Sequence, residues 1–177
     1  MRLTTPLAAI LLLAACAIRP MTVDASAAPA SFVVVRHAEK AAAGGDDPSL
    51  TDAGRARAAA LATALADEPI VAVYSTKYAR TRETAGPPAA AHGLAVSTYD
   101  AREPAASFAE RLRTTHATGT VLIVGHSNTA PAIAAALCGC AVAPMDESEY
   151  DRLLVVTLHP DGAATLAVRR QPAPPGN

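Results

Sequence analysis

The chain has 177 residues, of which 51% are apolar and 18% charged, so it can bury the core of one compact domain and is too apolar to stay disordered. Fifteen lysines and arginines face sixteen aspartates and glutamates, and the net charge of −1 argues against a protein that binds nucleic acid or an anionic membrane. With two phenylalanines, four tyrosines and no tryptophan, it also has few aromatic surfaces on which single-stranded bases could stack.

The N-terminus has the pattern of an export signal. Arg2 precedes an apolar run from Leu7 to Ile18, which is too short to span a bilayer of about 30 Å but has the length of a secretory signal core. Residues 1–15 are therefore predicted to be a signal peptide and residues 16–30 a flexible tether.

Two cleavage sites remain open for this signal. Residues 13–16 (Leu-Ala-Ala-Cys) resemble the lipobox of bacterial lipoproteins, in which the cysteine receives a lipid, whereas residues 25–27 (Ala-Ser-Ala) offer an ordinary site. We expect the first, because Cys16 lies at the end of the apolar run. The prediction is an exported protein of the bacterial periplasm or cell envelope, held to the membrane only by a lipid on Cys16.

From residue 31 onward, short β-branched runs alternate with alanine-rich segments of helical spacing. Strands are predicted at 32–36, 70–74, 94–98, 120–124, 153–158 and 163–168. Helices are predicted from Thr51, as N-cap, to about Ala66, from Lys77 to about His92, from Ala105 to Ala117 and from Asn128 to Leu137. Residues 86–88 (Gly-Pro-Pro) are expected to kink or split the second helix.

This order predicts the fold class. Runs 32–35 and 120–124 are apolar at consecutive positions, which is typical of strands buried on both faces. We therefore predict a three-layer α/β sandwich over residues 31–171, with a mainly parallel central sheet and helices on both faces, followed by a tail at 172–177.

Two further cysteines, Cys138 and Cys140, flank Gly139. A disulfide between residues two apart is expected to be strained, and a metal site would need more ligands nearby. We expect instead a helix end, with Gly139 as its C-terminal cap between two small buried thiols.

The chemistry is expected at the carboxyl ends of the strands, where open α/β sheets bind ligands. The first strand runs into Arg36-His37, the fourth runs into His126-Ser127, and Arg80 lies shortly after the second. Two imidazoles and two guanidiniums at one edge would form a pocket for a dianion such as a phosphoryl group. The loop 38–50 follows the first strand and is a candidate wall of this pocket.

Each residue has a plainer interpretation when taken alone. A histidine at a strand end is usually just solvated, and Arg80 could belong to an exposed helix face. Zinc binding by His37 and His126 would need a third ligand, and the arginines would repel the cation, so we expect no metal. His92, His116 and His159 are expected at helix ends or in a turn, without a catalytic role.

Four segments resemble motifs of the histidine phosphatase superfamily, the phosphoglycerate mutase-like proteins. They are 33–40 (VVVRHAEK), 50–54 (LTDAG), 74–85 (YSTKYARTRETA) and 124–127 (VGHS), and they occur in the family's order. Two positions depart from its usual pattern: Ala38 stands in place of the commoner glycine, and Thr76-Lys77 in place of Ser-Pro.

The resemblance implies a role for each matching residue. His37 would be the nucleophile that takes the phosphoryl group, and Arg36, Arg80 and His126, with Ser127 beside them, would bind its oxygens. It implies phosphatase chemistry on a small phosphorylated substrate, a phosphomonoester or a phosphohistidine-like phosphoramidate, without metal or cofactor. No insertion between Arg80 and His126 is long enough for the lid of a mutase, so mutase activity is not expected.

The proton donor for the leaving group is ambiguous. Family members carry an acid after the third strand, where Asp100 and Glu103 both occur, and we expect Asp100 because Glu103 also suits a helix start. Glu39 is the next carboxylate to consider. Substrate choice is expected to depend on loops 38–50, 99–104 and 139–150.

Two other functions remain open: a catalytically weak or inactive phosphate-binding lipoprotein of the same fold, and a lipoprotein domain that serves only as an interaction surface. The intact set Arg36, His37, Arg80 and His126 argues against the first, and the second predicts no dependence on phosphate. The oligomeric state is not predicted.

Overall fold

The computed structural model describes residues 28–172, so the predicted signal peptide, Cys16, both cleavage sites and the end of the tail lie outside the described part. Strands and helices alternate in the order β1 (Ala30–Arg36), α1 (Asp52–Ala64), β2 (Ile70–Ser75), α2 (Ala79–Ala91), β3 (Val96–Thr98), α3 (Ala105–Thr115), β4 (Gly119–Gly125), α4 (Thr129–Cys138), β5 (Arg152–Leu158) and β6 (Ala164–Arg170). Every predicted element is present, with ends that differ by a few residues.

The six strands form one sheet in the order β3-β2-β4-β1-β5-β6. Strands β1 to β4 pair in parallel, and β5 with β6 adds an antiparallel hairpin beside β1. The predicted α/β class with a mainly parallel sheet is confirmed. In the described residues no helix has the length and apolarity needed to cross a membrane.

The consecutive apolar residues of β1 pack into two hydrophobic cores, one on each face of the sheet. Phe32 and Val34 pack with the α3 and α4 side chains on one face of the sheet. Val33 and Val35 pack with α1 and α2 on the other face. Because successive side chains of a strand point to opposite faces, a strand between two helical layers must be apolar at every position.

Local sequence explains the helix ends. The Thr51 side chain accepts a hydrogen bond from the Gly54 backbone N–H at 3.0 Å and caps α1, as predicted. A Cβ at Gly54 would lie 2.2 Å from the Glu39 carbonyl oxygen, so only glycine lets α1 approach this loop. Helix α2 starts at Ala79, whose N–H donates to the Asp47 carboxylate at 2.7 Å.

Two sequence expectations need correction. Helix α2 is not split: it runs from Ala79 to Ala91 with Pro87 and Pro88 inside it, and loses only the two backbone hydrogen bonds that their N–H groups would have donated. Cys138 and Cys140 form a disulfide and are not two buried thiols, and Cys140 is exposed. Gly139 is the predicted cap, with φ of +63°, and it holds the two Cα atoms 5.2 Å apart, which is within disulfide range.

Candidate active site

The predicted site residues meet at one edge of the sheet. Neighbouring strands β1 and β4 are in register with Arg36 opposite Gly125, and β2 and β4 with Ser75 opposite Val124. The residues that follow these strand ends therefore face a common pocket of about 520 Å³. Its wall consists of His37, Lys40, Tyr78, Arg80, Ala101, Arg102, His126, Ser127, Asn128, Thr129 and Glu147.

His37 is held as a neutral base with one defined free nitrogen. Its Nδ1 lies 2.7 Å from the Ala38 carbonyl oxygen, and a carbonyl only accepts, so Nδ1 carries the proton and Nε2 keeps its lone pair. The ring is 3% exposed, and burial, with Arg36, His126 and Arg80 nearby, lowers the pKa of His37 to about 4 despite that hydrogen bond. The imidazole is therefore unprotonated at neutral pH.

His126 stands beside His37, with the ring centres 5.4 Å apart and the rings edge to face. Burial, followed by the positive charges of Arg80 and Arg36, lowers the pKa of His126 to about 4 as well. Its backbone N–H donates to the Thr129 hydroxyl at 2.9 Å. The preceding residue must be small, because a Cβ at Gly125 would lie 2.7 Å from that same hydroxyl oxygen.

Arg36 is buried and is bound by the loop 139–150. Its Nη1 donates to the carbonyl oxygens of Asp146 at 3.0 Å and Glu147 at 2.5 Å, and its Nη2 to the Glu147 carboxylate at 2.6 Å. The guanidinium also lies 4.3 Å from the ring centre of Tyr150. Its Nε–H is buried and has no hydrogen-bond acceptor within residues 28–172.

Arg80 lies in the first turn of α2 and lines the pocket. Its guanidinium stacks 4.5 Å from the Tyr78 ring centre, and its Nη1 is 3.8 Å from the Asp47 carboxylate of the loop 38–50. Like that of Arg36, its Nε–H is buried and lacks an acceptor among the described residues. Two buried donors without acceptors next to two imidazoles make this pocket chemically suited to an anion.

Glu147 is the carboxylate of the pocket wall, and sequence reasoning missed it. One oxygen contacts Arg36 and the other accepts a hydrogen bond from the Ser127 hydroxyl. That hydrogen bond and the positive charge of Arg36 keep the pKa of Glu147 below its usual range. Loop 139–150 was predicted to influence specificity, but no pattern in it distinguishes Glu147 from its neighbours.

The two predicted proton donors lie outside the lining of this pocket. Asp100 is exposed and accepts from the backbone N–H of Arg102 at 2.9 Å, which keeps the pKa of Asp100 low. Glu103 forms a two-point ion pair with Arg111, one contact at 2.9 Å. Asp100 lines a neighbouring pocket that shares Tyr78, Ala101 and Arg102 with this one, so its role as proton donor stays a prediction.

The other candidates lie apart from the pocket. Glu39 is paired with Arg57 at 2.6 Å. The Nε2 of His116 contacts the Tyr74 hydroxyl at 2.9 Å, and that of His92 the Leu65 carbonyl at 3.1 Å. Residues 28–172 contain no group of three or more His, Cys, Asp or Glu side chains arranged to hold a metal.

Comparisons with known proteins agree with this fold. The family described as "Histidine phosphatase superfamily (branch 1)" matches residues 32–101. The Mycobacterium tuberculosis protein "Uncharacterized protein Rv0525" is 48% identical over 64 residues, which cover 36% of this chain and 32% of that protein. The chain thus spans about a third of the length of this curated relative.

Solved structures extend the likeness to the whole described fold. "Mycobacterial hydrolase 1" superposes with a TM-score of 0.65 at 16% identity, over 82% of this chain and 99% of that one. The protein histidine phosphatase SixA, solved with tungstate, superposes with a TM-score of 0.61 at 20% identity, over 80% of this chain and 97% of that one. Over residues 32–101 the chain thus matches the histidine phosphatase superfamily, and its fold is the one seen in solved structures such as that of SixA.

Proposed function

We propose that this protein is a phosphatase that transfers a phosphoryl group from its substrate to Nε2 of His37 and then to water. The observation that carries the proposal is the unprotonated Nε2 of a buried, neutral His37, next to two arginines whose buried Nε–H groups have no acceptor among residues 28–172. A phosphoryl group bound there would give both donors an oxygen.

The two-step reaction uses groups already in position. In the first step a bond forms between Nε2 of His37 and phosphorus while the bond from phosphorus to the leaving group breaks. Because Nδ1 already donates to the Ala38 carbonyl, the ring needs no rearrangement before attack. Arg36 and Arg80 would stabilise the negative charge on the phosphoryl oxygens, which is the main catalytic contribution in phosphoryl transfer.

The pocket favours substrates whose leaving group needs little acid catalysis. Glu147 is the one carboxylate in its lining among the described residues, and the contacts with Ser127 and Arg36 keep it ionised, so it has no proton to give at neutral pH. An alkoxide leaves poorly without a proton, whereas the nitrogen of a phosphoramidate can be protonated from solvent. A phosphohistidine-like phosphoramidate or a phosphomonoester with an acidic leaving group is therefore the substrate class we propose.

The alternative is a phosphate-binding protein of the same fold with little or no turnover. It would share the arginine pocket but would not need an unprotonated, oriented nucleophile. Phosphate or vanadate at 100 times its Kd should raise the stability by about 2.7 kcal/mol in both cases. Turnover of phosphoramidate and nitrophenyl phosphate, lost in His37→Ala, separates the two functions, and unchanged turnover in that variant would reject our assignment.

We also propose that the protein is exported and that Cys16 carries a lipid, on the sequence pattern alone. The full-length protein should then fractionate with membranes, and Cys16→Ser should release it. A soluble mature form starting near Ala28 would favour the ordinary signal peptide.

A further inference from the structure

Behind His126 lies a buried relay of two hydroxyl groups. The Thr76 side chain oxygen is 3.1 Å from Nε2 of His126 and 2.7 Å from the side chain oxygen of Thr81. The Thr81 oxygen is in turn 2.8 Å from the Tyr78 carbonyl and 3.1 Å from the Thr76 carbonyl. Both threonines are fully buried.

The proton count of this relay has one consistent solution. A carbonyl oxygen supplies no proton, so the single Thr81 hydroxyl proton is shared between the Tyr78 carbonyl at 2.8 Å and the Thr76 carbonyl at 3.1 Å. The contact between the two hydroxyls must then use the proton of Thr76. With its only proton used, Thr76 can do no more than accept, so Nε2 of His126 is the donor in the third contact.

The opposite direction leaves a repulsive contact. If Thr81 donated to Thr76 and Thr76 to His126, the Thr81 oxygen would face the Tyr78 carbonyl oxygen at 2.8 Å with no proton between them. The Tyr78 carbonyl already accepts from the backbone N–H groups of Thr81 and Arg82, but this does not remove the repulsion between the two oxygens.

We infer that Thr76 and Thr81 hold His126 in its Nε2–H form. Nδ1 of His126 is then a proton acceptor in the pocket. An oxyanion that binds there is therefore accompanied by the uptake of one proton on Nδ1. This inference rests on the proposed function, since it concerns the same pocket. In this account His126 is not a fixed hydrogen-bond donor to the phosphoryl group. Its ring takes up a proton at Nδ1 and shares that proton with a phosphoryl oxygen. Thr76 and Thr81 are positioning residues that act through His126.

The same acceptor suits the second half of the reaction. The oxygen of water forms a bond to phosphorus, the bond from phosphorus to Nε2 of His37 breaks, and that electron pair returns to Nε2. The proton that water loses goes to Nδ1 of His126. Burial, Arg80 and Arg36 keep the His126 ring unprotonated in the free pocket, and the negative charge of the bound phosphoryl group would offset them when Nδ1 takes the proton.

Other charged and titratable groups face His126, and a test must distinguish their effects from the effect of His126. They are His37 and Arg36 at the end of β1, Tyr78 and Arg80 at the start of α2, and Lys40, Arg102 and Glu147 from the loops around the pocket. Of these, His37 also presents an unprotonated nitrogen. Variants of the relay leave all of these groups in place, so differences from the wild type report on His126.

The first test is the tautomer itself, read from ¹⁵N spectra of the histidine rings in the free protein. His126 should show a protonated Nε2 and an unprotonated Nδ1, with His37 showing the reverse as an internal reference. Thr81→Val removes the acceptor for the Thr76 proton, so Thr76 can donate to His126 and the ring should shift toward the Nδ1–H form. Thr81→Ser should restore the wild-type pattern. A protonated Nδ1 in the wild type, or no change in Thr81→Val, would overturn the inference.

The second test uses sulfate, a dianion that carries no proton of its own at neutral pH. If one proton is taken up by His126, this alone weakens sulfate binding about tenfold for each pH unit between the pKa of the free ring, about 4, and the raised pKa of the ring in the complex. The slope of log Kd against pH should be lower by about one in Thr81→Val and in Thr76→Val, while Thr76→Ser follows the wild type. Equal slopes would reject the inference and leave the proposed function intact. Failure of sulfate, phosphate and vanadate to bind at all would reject both.

Discussion

Acid should destabilise the protein through His37, and His37→Gln should remove that effect. The folded pKa of about 4 lies below the ordinary value of about 6.5 expected in the unfolded chain. Protonation therefore favours unfolding, and stability present above about pH 6.5 is lost as the pH falls toward 4. At about pH 5 the imidazole is almost fully protonated in the unfolded chain and about one-tenth protonated in the folded protein. This difference lowers the free energy of unfolding by about 2 kcal/mol.

The measurement is urea unfolding at about pH 7 and about pH 5, followed by circular dichroism. Between these two pH values the free energy of unfolding of the wild type should fall by about 2 kcal/mol more than that of His37→Gln, because glutamine does not titrate. His126 is present in both proteins, so its own contribution cancels. Equal losses would show that His37 is not buried as a neutral ring, and the argument for its readiness as a nucleophile would fail.

Three further predictions concern the charged groups. Arg80→Met should lower the rate of turnover by a factor on the order of 10² to 10³, because it removes a donor to the phosphoryl oxygens. Arg82→Met, at an exposed position of the same helix, is the control and should change the rate little. Equal losses in the two variants would show that Arg80 does not act in the site. Glu147→Gln should strengthen phosphate binding by up to about fivefold. The exposed Glu147 carboxylate competes with phosphate for Arg36, and its interaction with Arg36 contributes about 1 kcal/mol at most. Weaker phosphate binding in Glu147→Gln would contradict this. Asp100→Asn and Glu103→Gln should leave alkyl and nitrophenyl phosphate turnover unchanged, whereas a selective loss with the alkyl ester of about 10² to 10⁴ would restore one of them as proton donor.

The residues that could be predicted lie at the ends of strands. Apolar runs identify β1 and β4, and the parallel order places their carboxyl ends at the same edge, so the amino-acid sequence alone brings Arg36, His37 and His126 together. Arg80 follows from its place shortly after β2. These inferences use only local patterns and one rule of topology.

The residues that sequence analysis missed act through contacts distant in the chain. Glu147 reaches Arg36 across 111 positions, from a loop with no periodic pattern. The hydroxyl relay depends on the turn between β2 and α2, which brings the Thr81 oxygen within 2.7 Å of the Thr76 oxygen. Spacing alone argues against a disulfide between Cys138 and Cys140, whereas the left-handed Gly139 brings their Cα atoms within bonding range.

The central claim is that His37 carries the phosphoryl group, and the most direct measurement is to trap it there. Wild-type protein mixed with a ³²P-labelled phosphoramidate or nitrophenyl phosphate and quenched in alkali should retain label that acid releases, as expected for a phosphorus–nitrogen bond. Peptide mapping should place this label on the segment that contains His37, and His37→Gln should carry none. Label at the wild-type level in His37→Gln, or on another residue, would contradict the account.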